Sequence, residues 1–177
     1  GYDISNTYIL EKQFGWQGVL AEPAKTWHKN LIKNRNCKVE FDCVWRTTGE
    51  SLDFDMVEEG ELSTLSIFSN NDEHAKARQA KTTYMVNTIS LIDLLKKHGA
   101  PKVIDYLSVD TEGSELDILS AFDFNQYRFN CISLEHNFTE NREKLKLLLE
   151  QNGYKRVFEH LSKWDDWYIA KSSRMFR

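Results

Sequence analysis

The sequence predicts an α/β protein whose strands form a mostly parallel sheet closed by a C-terminal antiparallel hairpin. Three observations lead there. Short apolar runs bounded by Gly or Pro, such as GVLAE at Gly18–Glu22, suit strands buried on both faces. Segments with apolar residues at helical spacing separate these runs, and strand–helix alternation implies a parallel sheet with right-handed crossovers. The last two strand-like runs, Lys155–His160 and Trp167–Lys171, lie close enough to pair through a turn at Lys163–Asp166.

Each element has its own signal. Ser5–Phe14 reads as a helix that Ser5 or Asn6 can cap and Gly15 can end. Gly18–Glu22 is the first strand. Ala24–Asn34 is a helix, with Trp27, Leu31 and Ile32 at helical spacing. Lys38–Trp45 alternates through Val39, Phe41 and Cys43 and reads as one strand. Glu50–Val57 and Leu62–Phe68 read as further strands, with Gly60 in the turn between them. Ser63–Lys81 is polar and reads as a mobile lid or partly disordered excursion. Thr88–His98 is an amphipathic helix closed by Gly99, with Ser90 and Asp93 at capping-box spacing. Val103–Val109 is a strand, Ser114–Phe122 a helix and Cys131–Leu134 a strand. Asn141–Asn152 is a helix stopped by Gly153.

Bulk properties bound the function. A chain of 177 residues holds one domain, and 41% hydrophobic with 28% charged residues is ordinary for a folded protein. A net charge of −4 without basic blocks offers no field for nucleic acid or anionic membrane. The three cysteines, Cys37, Cys43 and Cys131, form no C-x-x-C pair, and no leader or long apolar run is visible. The expectation is a cytoplasmic protein with reduced thiols. Of the tryptophans, Trp16, Trp27 and Trp45 read as packing residues; Trp164 and Trp167 flank Asp165-Asp166 and are open to a sugar-stacking role.

In an open parallel sheet, ligands bind beyond the carboxyl ends of the strands. The polar residues that follow the predicted strands are Glu22, Asp42, Asp110-Thr111-Glu112 and Glu135-His136-Asn137. Glu22 reads either as an acceptor for ribose hydroxyls or as an acid at a helix start. Asp110 closes a strand at the ligand rim. Glu112 and Glu115 read either as site acids or as decoration of a helix start. His136 reads as a general base or as part of a strand-to-helix turn. Asp110 and Glu135, on adjacent strands, could together hold a hard cation such as Mg²⁺, with His136 beside them.

Together, SNTYILEKQFGWQGVLAEP, TISLIDLL, IDYLSVDTEGSELDIL, ISLEHN and NGYKRV resemble the FkbM-type methyltransferases over nearly the whole chain. The resemblance implies a Rossmann-like class I methyltransferase fold and an S-adenosylmethionine-dependent O-methyltransferase acting on a hydroxyl of a sugar, a glycan or a natural product. It implies that Glu22 holds the cofactor ribose, that Asp42 and Cys43 lie near the adenine, and that Ser5 and Asn6 lie near the methionine end. Asp110 would face the reacting methyl, with Glu112 and His136 on the acceptor side. The family's first strand and glycine-rich loop have no counterpart here. The expectation is therefore a single methyltransferase domain over residues 1–177 that is a fragment of a longer chain, with other domains possible. The alternative is a non-catalytic binding module or partner subunit of the same fold.

Overall fold

A computed structural model describes residues 5–58, 60–71 and 73–171. Helix α1 (Tyr8–Phe14) ends at Gly15, whose φ of 69° is the left-handed conformation that a helix C-terminus asks of glycine. Its start lies at Thr7, with no side-chain cap, so the predicted capping by Ser5 or Asn6 is not formed. Strand β1 (Val19–Ala21), helix α2 (Lys25–Asn34) and strand β2 (Lys38–Glu40) form a right-sized strand–helix–strand unit, and β1 pairs with β2 in parallel.

The single strand expected over Lys38–Trp45 is two strands in different sheets. Strand β3 (Cys43–Trp45) follows β2 after a bend at Phe41-Asp42. Glu40 causes the bend: its Oε1 accepts from the Phe41 and Asp42 amides at 3.1 and 3.4 Å. Lys97 and His98, at 2.6 and 3.1 Å, anchor its other oxygen. Strand β4 (Ser51–Val57) then runs to β5 (Thr64–Leu65), which is far shorter than the strand expected over Leu62–Phe68; Ser66–Phe68 is a 3₁₀ turn.

The excursion read as a lid or disordered is, in its described part, packed. A second 3₁₀ segment spans Glu73–Gln79, and Ser69 and Arg78 are buried. Asp55 gathers it in, accepting from Ser66 Oγ and Thr83 Oγ1, each at 2.7 Å, and from Ser69 and Lys81. Burial works to raise the Asp55 carboxyl, but the Lys81 ammonium and these hydroxyls outweigh it and hold it well below the usual range.

Strand β6 (Lys81–Ser90) was not expected over its whole length. It takes in the first residues of the helix read at Thr88–His98, which begins only at Leu91 as α3 (Leu91–Lys97). Ser90 is the cap: its Oγ accepts from the Asp93 amide at 3.1 Å. Strand β6 pairs antiparallel with β4 and parallel with β3, giving the order β3-β6-β4-β5.

Strand β7 (Val103–Val109), helix α4 (Glu115–Ser120), strand β8 (Arg128–Glu135), helix α5 (Asn141–Gln151), strand β9 (Tyr154–Val157) and strand β10 (Asp165–Ala170) complete the chain. Strands β7 and β8 are parallel; β10 inserts antiparallel between β8 and β9, so the order is β7-β8-β10-β9. The C-terminal hairpin is present. The expectation of a mostly parallel sheet is corrected: among the described residues the fold is α/β with one parallel two-stranded sheet and two four-stranded sheets of mixed pairing. The reason is local. Strand β10 returns along β8 with no crossover helix after β9, and the excursion brings β6 back along β4.

The main core lies where α3, α4 and α5 cover the β7–β8 sheet. Phe129, Ile132, Leu119 and Leu149 are wholly shielded there. A smaller core around Trp45, Phe54 and Leu65 supports the second four-stranded sheet. Among the described residues, no helix is long and apolar enough to cross a membrane.

Candidate active site

Among the described residues, β1 pairs only with β2 and β7 only with β8, so each has an unpaired edge. A cleft of about 580 Å³ is lined by both strands and the residues that follow them. Its size falls within the range of small-molecule sites.

Glu22 lies just past β1, where its amide still bonds Glu40 O at 2.9 Å. Its Oε1 accepts from the Ala24 amide at 2.8 Å, so the helix-start role is real. The same carboxylate lines the cleft, so the two readings of Glu22 are compatible. Burial pushes its carboxyl up to about 7, and the neighbouring Asp110 charge adds to this. Ser5 and Asn6 also line the cleft. Asn6 Nδ2 donates to Ser108 Oγ at 2.9 Å, and Ser5 Oγ accepts from Arg35 at 2.9 Å. Cys43 is buried against the cleft, its thiol pushed up to about 12 by burial and by Glu22 and Asp42. Asp42 itself is not among the lining residues.

The turn from Asp110 to Glu115 is the densest part of the site. Glu115 clamps it, with Oε1 accepting from the Thr111 amide, the Thr111 hydroxyl and the Gly113 amide at 2.8, 2.8 and 3.2 Å. Glu115 is therefore turn architecture. Glu112 adopts φ 57°, a left-handed conformation uncommon for a side-chain residue. A Cβ at Gly113 would lie 3.1 Å from Phe68, so only glycine lets the excursion pack this closely. Further contacts hold Glu112. Thr64 Oγ1 donates to its carbonyl at 2.9 Å, and Arg78 Nη2 lies 2.8 Å from its Oε2.

Asp110 opens onto the cleft while protein crowds its other sides. That crowding raises its carboxyl, and Glu115 and Asp165 add to the rise. Glu135, at the end of β8, is raised further by burial and by the charges of Asp110, Glu112 and Glu115. The two carboxyls are neighbours, and burial with the surrounding negative charge favours a proton on Glu135.

A second cavity of about 270 Å³ lies on the other side of Glu112, lined also by Phe68, Glu135, His136, Asn137 and Lys144. Glu112 lines both cavities. His136 borders the second one, but its ring is occupied: Nδ1 accepts from the Phe138 amide at 3.0 Å and Nε2 lies 3.3 Å from Ser162 Oγ. Burial lowers its pKa and the Arg142 charge lowers it further, so the ring is neutral at pH 7.

The structure thus brings Asp110, Glu112 and Glu135 together, with Glu22, Ser5, Asn6 and Cys43 around the same cleft, and sets the His136 ring outside the carboxylate group. Sequence reasoning missed Arg78, which lies in an aperiodic polar run and carries no local signal. It also missed the buried Asp166, which accepts from Arg142 at 2.8 and 2.9 Å and from Arg156 at 3.2 Å behind His136.

A family model described as the methyltransferase FkbM domain matches residues 1–165. No curated protein and no solved structure matches.

Proposed function

Because the chain belongs to the FkbM methyltransferase family, we propose that it transfers the methyl group of S-adenosylmethionine to a hydroxyl oxygen of a sugar or glycan. The single observation behind this reading is the meeting of a cofactor-sized cleft and a second, polar cavity at Glu112, beside Asp110. Donor and acceptor can enter from opposite sides of one carboxylate-lined wall.

The residues of the cleft fit the cofactor. The Glu22 carboxylate has an acceptor oxygen beyond the one bonded to Ala24, in surroundings poor enough in water to raise its pKa to about 7. Ribose hydroxyls would supply the donors that such a buried carboxylate favours. Val44, Leu91 and Leu94 give the cleft an apolar wall suited to a purine, and Ser5 and Asn6 offer polar groups to the amino-acid end. When bound, the cofactor supplies an electrophilic sulfonium methyl.

The protein's work is alignment and proton removal. Attack in line demands that acceptor oxygen, methyl carbon and sulfur be held on one axis. A sugar hydroxyl is a weak nucleophile at neutral pH and gains from a base within reach. Asp110 fills that role: its raised carboxyl is a better base than a free one, and it stands beside Glu135 at the meeting of the two cavities. His136, with both ring nitrogens engaged, orders the wall of the acceptor cavity.

Mass spectrometry of candidate glycans after incubation with the protein and S-adenosylmethionine tests the reading by a gain of one methyl. Asp110→Asn should lower kcat by roughly 10²–10⁴-fold while calorimetry shows cofactor affinity nearly intact. Cofactor binding without transfer to any acceptor would favour a binding module instead. No binding at all would remove the proposal.

A further inference from the structure

One oxygen from each of Asp110, Glu112 and Glu135 lies within 4.8 Å of the others. Hard divalent cations bind oxygen at about 2.0–2.6 Å, so ligands of one ion stand at most about 4–5 Å apart. The spread therefore admits a single ion. Spacing among acids is common and decides nothing alone.

The second observation is Glu135 itself. It is 9% exposed, and its Oε2 has no hydrogen-bond partner. A buried carboxylate oxygen with nothing to bond is costly, and this one faces like charges. Asn137 Oδ1, on the wall of the same second cavity, is also without a donor. Meanwhile Asn137 Nδ2 reaches Glu112 Oε2 at 3.3 Å, so the amide is held with its oxygen turned away from that bond. Among the described residues, Glu135 Oε2 and Asn137 Oδ1 thus each lack a donor. A hydrogen-bond donor satisfies one acceptor per proton, whereas a cation gathers several at once.

We propose that Asp110, Glu112 and Glu135 form a binding site for one hard divalent cation at the junction of the two cavities. His136 takes no part, because its ring is bonded to Phe138 and Ser162. The protein supplies three carboxylates, and the remaining positions of the ion open to the cavities, where water or an acceptor hydroxyl can enter. Glu112 is pinned by Arg78 and Thr64 through the turn, so the site needs little rearrangement to close on an ion. The proposal stands apart from methyl transfer: an ion bound here by a protein that transfers no methyl would still uphold it.

The competing occupant is a proton on Glu135, and metal titration separates the two. Metal-stripped protein is titrated with Mn²⁺ at about pH 7.5, above the ordinary carboxylate range, with electron paramagnetic resonance reading the free ion. One equivalent should bind, Ca²⁺ or Mg²⁺ should displace it, and the ion should raise the melting temperature. Glu135→Gln keeps the shape and removes one charge. It should melt no lower than the wild type without metal, yet bind Mn²⁺ at least about tenfold more weakly, as expected when a hard-cation site loses ligand charge. Asp110→Asn, read the same way, serves as the second variant if Glu135→Gln fails to fold. Wild-type protein that leaves Mn²⁺ free up to about 1 mM, the weak end of protein cation sites, overturns the proposal and assigns the cluster to the proton. Undiminished binding by both variants overturns it as well.

Discussion

Arg78→Met probes how the excursion is fastened to the turn at Glu112. The guanidinium Nη2 lies 2.8 Å from Glu112 Oε2, and the two side chains are 1% and 7% exposed. Arg78 Nε also donates to Leu62 O at 2.7 Å. Methionine keeps the stem and removes the charge, so Glu112 loses this cation while its carboxylate stays buried. Breaking one side of a buried pair costs about 3–5 kcal/mol. In a chain of this length each kcal/mol moves the melting midpoint by about 2–4 °C, so the midpoint should fall by roughly 6–20 °C. Adding Glu112→Gln removes the buried charge and should restore about half the loss, leaving the smaller cost of imperfect hydrogen bonds. Urea unfolding at neutral pH, followed by tryptophan fluorescence, gives all corners of the double-mutant cycle. A cost below about 1 kcal/mol, the usual worth of an exposed pair, would refute the reasoning. So would a double variant no more stable than Arg78→Met alone.

Three more expectations follow from other parts of the structure. Glu22→Gln should weaken S-adenosylmethionine binding by about 10–100-fold in calorimetry, the worth of hydrogen bonds to a charged group. The Glu22 carboxyl is raised from 4.5 to about 7, so folding favours its protonated form and wild-type stability is lost as pH rises through that window; the variant should gain on the wild type at pH 8 and match it at pH 4. Asp166→Asn has the opposite pH signature. Burial alone would raise the Asp166 carboxyl, but Arg142 and Arg156 hold it down to about 2, against 3.8 when unfolded. Its contribution of about 2 kcal/mol is complete above the unfolded value and fades as pH falls through about 2, so acid unfolding curves of variant and wild type should converge. Leu119→Ala, at a wholly buried position of α4 in the main core, should cost about 2–5 kcal/mol in the same unfolding assay.

The elements that sequence located well carry their signals locally. Gly15 marks the end of α1, Ser90 and Asp93 mark the start of α3, and the Val103–Val109 run is a strand as read. The misread boundaries depend on partners distant in sequence. Lys38–Trp45 looks continuous because its alternation is unbroken, yet Lys97 and His98, some sixty residues on, fasten Glu40 and bend the chain. Thr88–Ser90 has helical company on one side, but pairing with Cys43–Trp45 makes it strand. The site divides the same way. Asp110, Glu22 and Glu135 were legible as strand-end residues, where an open sheet meets a ligand, and the structure places them along the two cavities. Arg78 and the pairing of Asp166 with two arginines could not be found, since a buried charge becomes visible only when its counter-charge is placed.

The close approach of Phe68 to Gly113 gives the molecule a division of labour. One wall of the smaller cavity is built by the segment around Phe68 and Asn71, whose turns belong to none of the strands, while the opposite wall comes from the carboxylate turn and the start of α5. Changing the side chains of Phe68 or Asn71 would widen or narrow the chamber while Thr64 and Arg78 still hold Glu112. The two walls of the chamber are thus drawn from separate stretches of chain, and they meet across a single glycine.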